Sequence, residues 1–294
     1  RPVLVQPDTL RFVLTIPRSV MPAAGFPLLA YGHGMNGEYR QVVDRTEGSS
    51  TSIAAVLALR GIGVGGLDAV AHGPRSEGSG GMAALNFFNF FNPWSVRDNV
   101  RQTVSDYLVF FRMASAMTVD ASQCPGVDAS AAPGGQITWD PAARFFMGHS
   151  LGSSIGSLVS AVDPSVQVSI LSGAGGHAIS FVLAPKEPLD IKATAELVFG
   201  FDNDEELDSH DPILTVFQMI FDEADGPNFA PLATRQMDPG WPARHVLQLQ
   251  GLGDTYTPEL TAASITTAFG LDLAEQPTTT TDYAARAEML QDRA

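Results

Sequence analysis

Residues 144–161 read RFFMGHSLGSSIGSLVSA, and this stretch decides how the rest of the chain is interpreted. The apolar run at 144–147 predicts a buried strand, and the small residues at 151–161 predict a helix that packs closely on a sheet. Between them, GHSLG at 148–152 matches G-x-S-x-G, in which a tight strand-to-helix turn lifts a serine hydroxyl clear of the backbone. Ser150 is therefore the predicted nucleophile.

Short β-branched or aromatic runs alternate with helical patterns on both sides of this stretch. Strands are predicted at residues 9–16, 26–31, 62–67, 144–147, 166–171 and 245–250. The helix predicted at 95–117 carries one apolar face, made of Val96, Val100, Val104, Leu108 and Phe111. This alternation is typical of the α/β class, with a mostly parallel sheet and helices on both faces. We predict a single domain over residues 1–294.

Composition narrows the function classes. The chain has 294 residues, 45% of them apolar, which is enough to build a substantial core. The chain has 17 Lys and Arg residues and 32 Asp and Glu residues, and its net charge of −15 argues against nucleic acid as a partner. No apolar run is long enough to predict a transmembrane segment. The single cysteine, Cys124, excludes an intrachain disulfide and a Cys-rich zinc site, and no metal or organic cofactor is implied.

A second glycine-rich signal lies upstream, where residues 31–35 read YGHGM after a predicted buried strand. Read alone, Gly32 and Gly34 mark no more than a turn. Together with the G-x-S-x-G stretch, the chain resembles the α/β-hydrolase superfamily, and YGHGM resembles the oxyanion loop of its lipases and esterases. The resemblance implies the α/β-hydrolase fold with a possible cap insertion. It also implies that the backbone N–H groups of Met35 and Leu151 hold an oxyanion.

The same resemblance suggests the acidic partner of a catalytic triad. Residues 251–258 read GLGDTYTP after the last predicted strand, and this segment resembles the acid-bearing loop of the superfamily. Asp254 is thus the predicted carboxylate that orients the base. Asp222 and Asp225 are the alternatives, and we interpret both as surface or lid charges because no strand precedes them.

The catalytic base is missing from its usual place. The triad of this superfamily runs serine, acid, histidine, yet no histidine lies between Asp254 and Ala294. His33, His149 and His245 are poorly placed for the role, whereas three others remain possible as cleft-bordering residues: His72, His177 and His210. We expect the sequence to lack a C-terminal strand and its catalytic histidine. A relocated base or a catalytically dead protein is the alternative.

Aromatic residues cluster at 85–94, which read LNFFNFFNPW after a glycine-rich stretch. We predict a cap segment at 78–95 that covers an acyl-binding pocket, the alternative being plain core. The predicted substrate-lining residues are Phe87, Phe88, Phe91 and His177. Over residues 26–272 the chain also resembles bacterial secreted or surface lipases of the virulence-factor-lipase type.

These features predict a serine carboxyl-ester hydrolase, an esterase or lipase that works through an acyl-enzyme on a small-molecule or lipid ester. A peptidase or acyltransferase on the same fold is the first alternative, because fold and triad do not define the leaving group. A catalytically dead binding module is the second. The resemblance implies a secreted or cell-surface protein, while acyl length and oligomeric state stay open.

Overall fold

A six-stranded sheet forms the centre of the computed structural model, which describes residues 7–45, 49–76, 83–89, 92–187, 190–202 and 204–273. Its strand order is β1-β3-β2-β6-β7-β8, and β4 and β5 pair separately. The strands are β1 (Phe12–Thr15), β2 (Phe26–Gly32), β3 (Gly63–Leu67), β4 (Val119–Asp120), β5 (Gln136–Ile137), β6 (Trp139–His149), β7 (Val166–Ser172) and β8 (His245–Leu249). Only β1 runs antiparallel within the six-stranded sheet, so the predicted α/β class with a mostly parallel sheet is confirmed.

Helices connect the parallel strands, as right-handed crossover connections require. They are α1 (Ile53–Ala58), α2 (Ala83–Phe87), α3 (Pro93–Ala116), α4 (Leu151–Val162), α5 (Ala178–Leu183), α6 (Ile191–Phe199), α7 (Pro212–Phe221), α8 (Gly226–Ala233) and α9 (Glu259–Phe269). In the ranges that the structure describes, no helix combines the length and the apolar character needed to cross a membrane.

The core lies on both faces of the sheet. On one face, the strands pack against α3, α4, α8 and α9 around Phe146, Phe111 and Ile265. On the other face, a smaller cluster around Tyr31 and Val64 lies beneath α1. The predicted apolar face of α3 is buried at four of its five positions, and Leu108 is half-buried. Burial of both sheet faces explains why the strands read as continuous apolar runs.

Two predicted strands differ in length from those observed. β6 begins at Trp139, five residues before the predicted start, because Trp139 already pairs with Phe26 ahead of an irregularity in the register. β1 is shorter than the predicted 9–16, because this edge strand pairs with β3 only from Phe12 to Thr15. The carboxyl end of β6 also lies two residues beyond the predicted 147, at His149, so that Ser150 directly follows the strand.

The carboxyl ends of four neighbouring strands meet at one edge of the sheet. Gly32 of β2 pairs with Gly148 of β6, His149 of β6 pairs with Ser172 of β7, and Ser172 pairs with Leu249 of β8. Because ligands of open α/β sheets bind outside the carboxyl ends of the strands, the loops that follow β2, β6, β7 and β8 are placed to build a site together.

Candidate active site

Ser150 occupies a strained turn between β6 and α4. Its backbone angles are φ 51° and ψ −117°, a combination that residues other than glycine rarely adopt. A Cβ on Gly152 would lie 2.1 Å from the Gly32 carbonyl oxygen, and one on Gly148 would lie 2.4 Å from the Gly152 carbonyl oxygen. The glycines of the predicted motif are therefore needed so that β2, β6 and α4 can approach this closely.

The loop after β2 forms a hydrogen-bonded turn beside Ser150. Gly34 N–H donates to Gln41 Oε1 (3.0 Å), Asn36 N–H to His72 Nε2 (3.3 Å) and Gly37 N–H to the Gly34 carbonyl (2.9 Å). In this turn Met35 N–H is the backbone donor without a partner among the described residues. A Cβ on Gly34 would lie 3.7 Å from the Ser150 Cβ, so the turn lies directly against the nucleophile.

Leu151 supplies a second unpartnered donor at the N-terminus of α4. Ser150 N–H donates to the Ser172 carbonyl (2.8 Å), and the N–H groups of Ser153 and Ser154 donate to the Ser150 carbonyl. Leu151 N–H has no acceptor in the described part of the chain, as expected for the first residue of a helix. Met35 and Leu151, the residues whose N–H groups the resemblance singles out, both line the cavity beside Ser150.

Two buried histidines hold the turn in place. His33 Nε2 accepts from Ala69 N–H (3.0 Å), and its Nδ1 lies 2.8 Å from the Gly34 carbonyl. His72 Nδ1 lies 2.8 Å from the Val70 carbonyl, while Nε2 accepts from Asn36. Burial lowers the pKa of His33 to about 4 and lowers the pKa of His72. Both rings are therefore neutral near pH 7, and both ring nitrogens of each are engaged within the protein.

Asp254 lies on the loop after β8, near the nucleophile. Its Oδ2 and the Ser150 Cα are each 3.9 Å from the position that a Cβ on Gly173 would occupy, so the two residues face each other across Gly173. Asp254 Oδ1 accepts from the N–H groups of Tyr256 (2.8 Å) and Thr257 (3.0 Å), and Oδ2 accepts from Thr257 Oγ1 (2.9 Å). Burial acts to raise the pKa of Asp254, but these hydrogen bonds and the nearby His149 lower it below its ordinary 3.8.

The two alternative acids differ from each other. Asp222 is an exposed residue, in line with its interpretation as a surface charge. Asp225 is 2% exposed, so its interpretation as a surface or lid charge is wrong. Its Oδ1 accepts from His177 N–H (2.8 Å), and its Oδ2 from Ala178 N–H (2.9 Å) and Gln218 Nε2 (2.8 Å). Asp225 therefore anchors the start of α5 to α7.

All six histidines lie in the described ranges, and none of them forms a hydrogen bond with Ser150 there. His33 and His72 are occupied by the turn after β2. His149 precedes Ser150 at the end of β6 and is exposed, and His210 and His245 are also exposed. His177 lines the same cavity as Ser150, but its Nδ1 is held by Ser180. Among the described residues no imidazole is hydrogen-bonded to either Ser150 or Asp254.

A cavity of about 160 Å³ opens beside Ser150. Its wall is mainly apolar, and the predicted lining residues Phe88 and His177 belong to it together with Met35 and Leu151. Phe87 is instead a core residue with a fully buried side chain, packed edge-on against His72 and Phe88. Phe91 lies outside the described residues, as do 78–82 and 90 of the predicted cap segment. The described remainder of that segment forms α2 and the start of α3.

Sequence reasoning missed most of the cavity wall. Phe181 of α5 and Phe217 and Phe221 of α7 line it, and the last two rings stack at a centroid distance of 6.2 Å. Their spacing of four residues on a helix was an available signal, because such residues lie on one helix face. What the spacing does not reveal is that this face turns toward Ser150.

The described residues contain no cluster of three or more His, Cys, Asp or Glu side chains that is arranged to hold a metal ion. The polar groups beside Ser150 are backbone N–H donors, the His177 ring, the hydroxyls of Ser154, Tyr256 and Thr257, and the carboxylates of Glu187, Asp225 and Asp254. The N–H donors of this set suit stabilisation of a developing oxyanion by preorganised donors.

No family model and no curated protein matches the sequence. Solved structures do match the fold. Acetyl xylan esterase 1 of Thermoanaerobacterium sp. JW/SL YS485 is 16% identical, with 91% of this chain and 75% of that chain covered and a TM-score of 0.55. The acetyl xylan esterase of Paenibacillus sp. R4 is 14% identical, with 96% and 79% covered and a TM-score of 0.54.

A peptidase also matches. The acylaminoacyl peptidase of Pyrococcus horikoshii is 10% identical, with 88% of this chain but 32% of that chain covered and a TM-score of 0.50. These matches include esterases and a peptidase, and they give no support to the predicted resemblance to lipases of the virulence-factor type. At such low identity they establish the architecture alone. Together with the parallel sheet and the sharp turn at Ser150, they show that this protein has the α/β-hydrolase fold.

Proposed function

We propose that the protein hydrolyses carboxylic esters through Ser150. The observation that carries the proposal is the pairing of a strained, cavity-lining serine with two unpartnered backbone donors, Met35 N–H and Leu151 N–H. In this mechanism Ser150 Oγ attacks the ester carbonyl carbon, and the carbonyl oxygen takes the negative charge. The two N–H groups stabilise that oxyanion, the alcohol leaves, and water then releases the acyl group from Ser150.

Asp254 has the role of orienting and stabilising an imidazolium. Its lowered pKa keeps the carboxylate ionised near pH 7, as the role requires. The imidazole itself would stand between Ser150 and Asp254 and take the hydroxyl proton of Ser150. None of the six histidines of this sequence is hydrogen-bonded to Ser150 or Asp254 in the described part of the chain. A histidine beyond Ala294, as the resemblance implies, stays a prediction.

The size of the cavity favours a small acyl group. A cavity of about 150 Å³ lined by apolar side chains holds a benzene-sized molecule, and the cavity beside Ser150 measures about 160 Å³. We therefore propose short, apolar acyl esters as substrates, in preference to the long fatty chains of a lipase. Esters of about two to six carbons fit this space.

The missing imidazole provides a direct test. Hydrolysis of p-nitrophenyl butanoate is measured with and without added imidazole, and the rate of the Ser150→Ala variant is subtracted as the control for free imidazole. A positioned general base contributes about 10²–10⁴-fold. We expect slow Ser150-dependent hydrolysis that imidazole accelerates at least tenfold. Equal rates for the wild type and Ser150→Ala under both conditions would contradict the proposal.

A peptidase is the second candidate, because a peptidase is among the proteins of matching fold. The same serine and donors would serve amide cleavage, in which the leaving amine must also be protonated. Comparing butanoyl ester and butanoyl anilide under the imidazole conditions separates the two. Ester turnover without anilide turnover favours the esterase, and comparable rates on both favour the peptidase.

A further inference from the structure

His177 begins α5 in a position that is costly for a histidine. Its backbone has φ 66° and ψ 97°, a conformation that glycine and asparagine tolerate better. Its side chain also caps the helix by accepting from Ser180 N–H, a task that Ser, Thr, Asp and Asn perform more often. Residues that break a local rule without local gain are expected at functional sites. The imidazole must therefore supply something that neither the turn nor the cap requires.

The hydrogen bonds of Nδ1 determine which ring nitrogen carries the proton. Ser180 N–H points at His177 Nδ1 (3.4 Å), and Ser180 Oγ lies 2.7 Å from the same atom. Because a backbone N–H can only donate, Nδ1 must be the unprotonated nitrogen of the neutral ring. The proton is then on Nε2, which has no hydrogen-bond partner among the described residues. In this tautomer His177 is a donor through Nε2 and does not accept the Ser150 proton there.

The ring is held firmly beside the nucleophile. Asp225, itself buried, accepts from the N–H groups of His177 and Ala178 and so fixes the backbone. Ser154, one helical turn after Ser150, contacts the same loop, because its Oγ donates to the Gly175 carbonyl (2.9 Å). His177 and Ser150 line one small cavity. A group bound to Ser150 and filling that cavity therefore lies beside the imidazole.

Two hydroxyl groups of the wall are already engaged, and a third, that of Tyr256, belongs to a residue that is 54% exposed. Ser154 Oγ donates to Gly175, and Thr257 Oγ1 donates to Asp254. The aromatic residues Phe88, Phe181 and Phe217 offer apolar surface. The Nε2–H of His177 is thus a fixed donor in a mainly apolar wall. A ligand that places an acceptor opposite this donor gains a hydrogen bond that an alkyl ligand of the same shape cannot make, so the two are distinguished by that bond.

We propose that His177 is a specificity-determining residue, whose Nε2–H donates to an ether, keto or hydroxyl oxygen on the acyl chain of the substrate. The inference rests on the proposed ester hydrolysis at Ser150, because it takes the cavity as the acyl site. The substrate class is then short apolar acyl esters that carry one hydrogen-bond acceptor beyond the scissile carbonyl.

Binding to the Ser150→Ala variant tests this without requiring turnover. Dissociation constants are measured by calorimetry for p-nitrophenyl pentanoate and for two isosteric ethers, the 2-ethoxyacetate and 3-methoxypropanoate esters. The same measurements are made after adding His177→Asn, which keeps a cap acceptor and tolerates positive φ. We expect this change to weaken binding of at least one ether relative to pentanoate by about 3- to 10-fold. Phe181→Leu, the matched control, should weaken ether and pentanoate equally.

Unchanged ether-to-pentanoate ratios in His177→Asn, or no binding of any of these esters, would overturn the inference. Failure of the proposed function gives a different result: the esters bind with the expected ether-to-pentanoate ratios, but the wild type shows no Ser150-dependent hydrolysis. The tautomer is measured independently in the wild type from the ¹⁵N shifts of the imidazole. Protonated Nε2 is expected, and protonated Nδ1 overturns the inference even if His177→Asn fails to fold.

Discussion

Two aspartates lie near Ser150, Asp225 in the cavity wall and Asp254 across Gly173, and their environments are opposite. Asp254 is half-buried on the loop after β8, and its hydrogen bonds with Thr257 and Tyr256 hold its pKa below 3.8. Asp225 is fully buried ahead of α8, and burial raises its pKa above 3.8 despite three hydrogen bonds. The first is suited to face a cation that forms during a reaction. The second is suited to hold backbone N–H groups in place.

The comparison teaches that proximity to a nucleophile does not assign a role to a carboxylate. Asp225 lines the cavity of Ser150, but both of its oxygens are occupied by donors of α5 and α7. Asp254 Oδ2 has one protein donor, Thr257 Oγ1, and faces Ser150 across Gly173. A carboxylate oxygen accepts more than one hydrogen bond, so Asp254 retains the capacity to bind an imidazole N–H.

The largest expected effect is on stability. Asp225→Ala removes the acceptor for three donors, two of them backbone N–H groups at the start of α5. An unsatisfied buried donor costs about 1–3 kcal/mol, so we expect the free energy of unfolding to fall by about 3 kcal/mol in denaturant titrations. Asp222→Ala, three residues away and exposed, is the control and should change it by less than about 1 kcal/mol. Similar losses in both variants would mean that Asp225 is no anchor.

The next effect is on catalysis. Asp254→Asn keeps an oxygen for the N–H groups of Tyr256 and Thr257 but loses the charge that stabilises an imidazolium. Loss of that charge in a triad costs several orders of magnitude, and we expect the imidazole-dependent, Ser150-dependent rate to fall about 100-fold. The denaturation midpoint should change little. If Asp225→Asn lowers this rate more than Asp254→Asn does, the roles of the two carboxylates are exchanged.

The smallest effect separates the carboxylates by the sign of their pH dependence. Because the pKa of Asp225 is raised, the pH-dependent part of its contribution to stability is fully present below pH 3.8 and is lost as the pH rises through its folded pKa. The contribution of Asp254 is present above 3.8 and is lost as the pH falls through its lowered folded pKa. Unfolding free energies are measured from pH 3 to pH 7 for the wild type, Asp225→Asn and Asp254→Asn. For each variant, the difference in unfolding free energy from the wild type is plotted against pH. The two plots should slope in opposite directions, and slopes of equal sign would refute the comparison.

Local sequence carried most of the fold. The runs at 26–31 and 166–171 predicted β2 and β7 to within one residue, and 26–31 reads as a nearly continuous apolar segment because β2 is covered on both faces of the sheet. The turn at Ser150 was predictable for a related reason. Only glycine at position 152 allows the close approach to Gly32, so the glycines of the motif predict the turn from the sequence.

The cavity wall was predicted less well. Phe87 and Phe88 are adjacent and identical in type, yet the first lies in the core and the second faces the cavity. Phe87 ends α2 and packs on His72, whereas Phe88 follows the helix and packs on Phe181, and no local pattern encodes either contact. Asp225 was misread in the same way, because its partners at His177 and Ala178 lie 47 or more residues earlier in the chain.

By itself the sequence determined the α/β class, the strained serine and the two loops that meet it, because periodicity, glycine and chain order are local properties. The tertiary structure alone decided that Met35 and Leu151 have N–H groups without partners among the described residues, that Asp225 is an anchor and that Ser180 occupies Nδ1 of His177 in the cavity wall. Each of these depends on which donors and acceptors already have hydrogen-bond partners, and those partners come from segments that are distant in the chain.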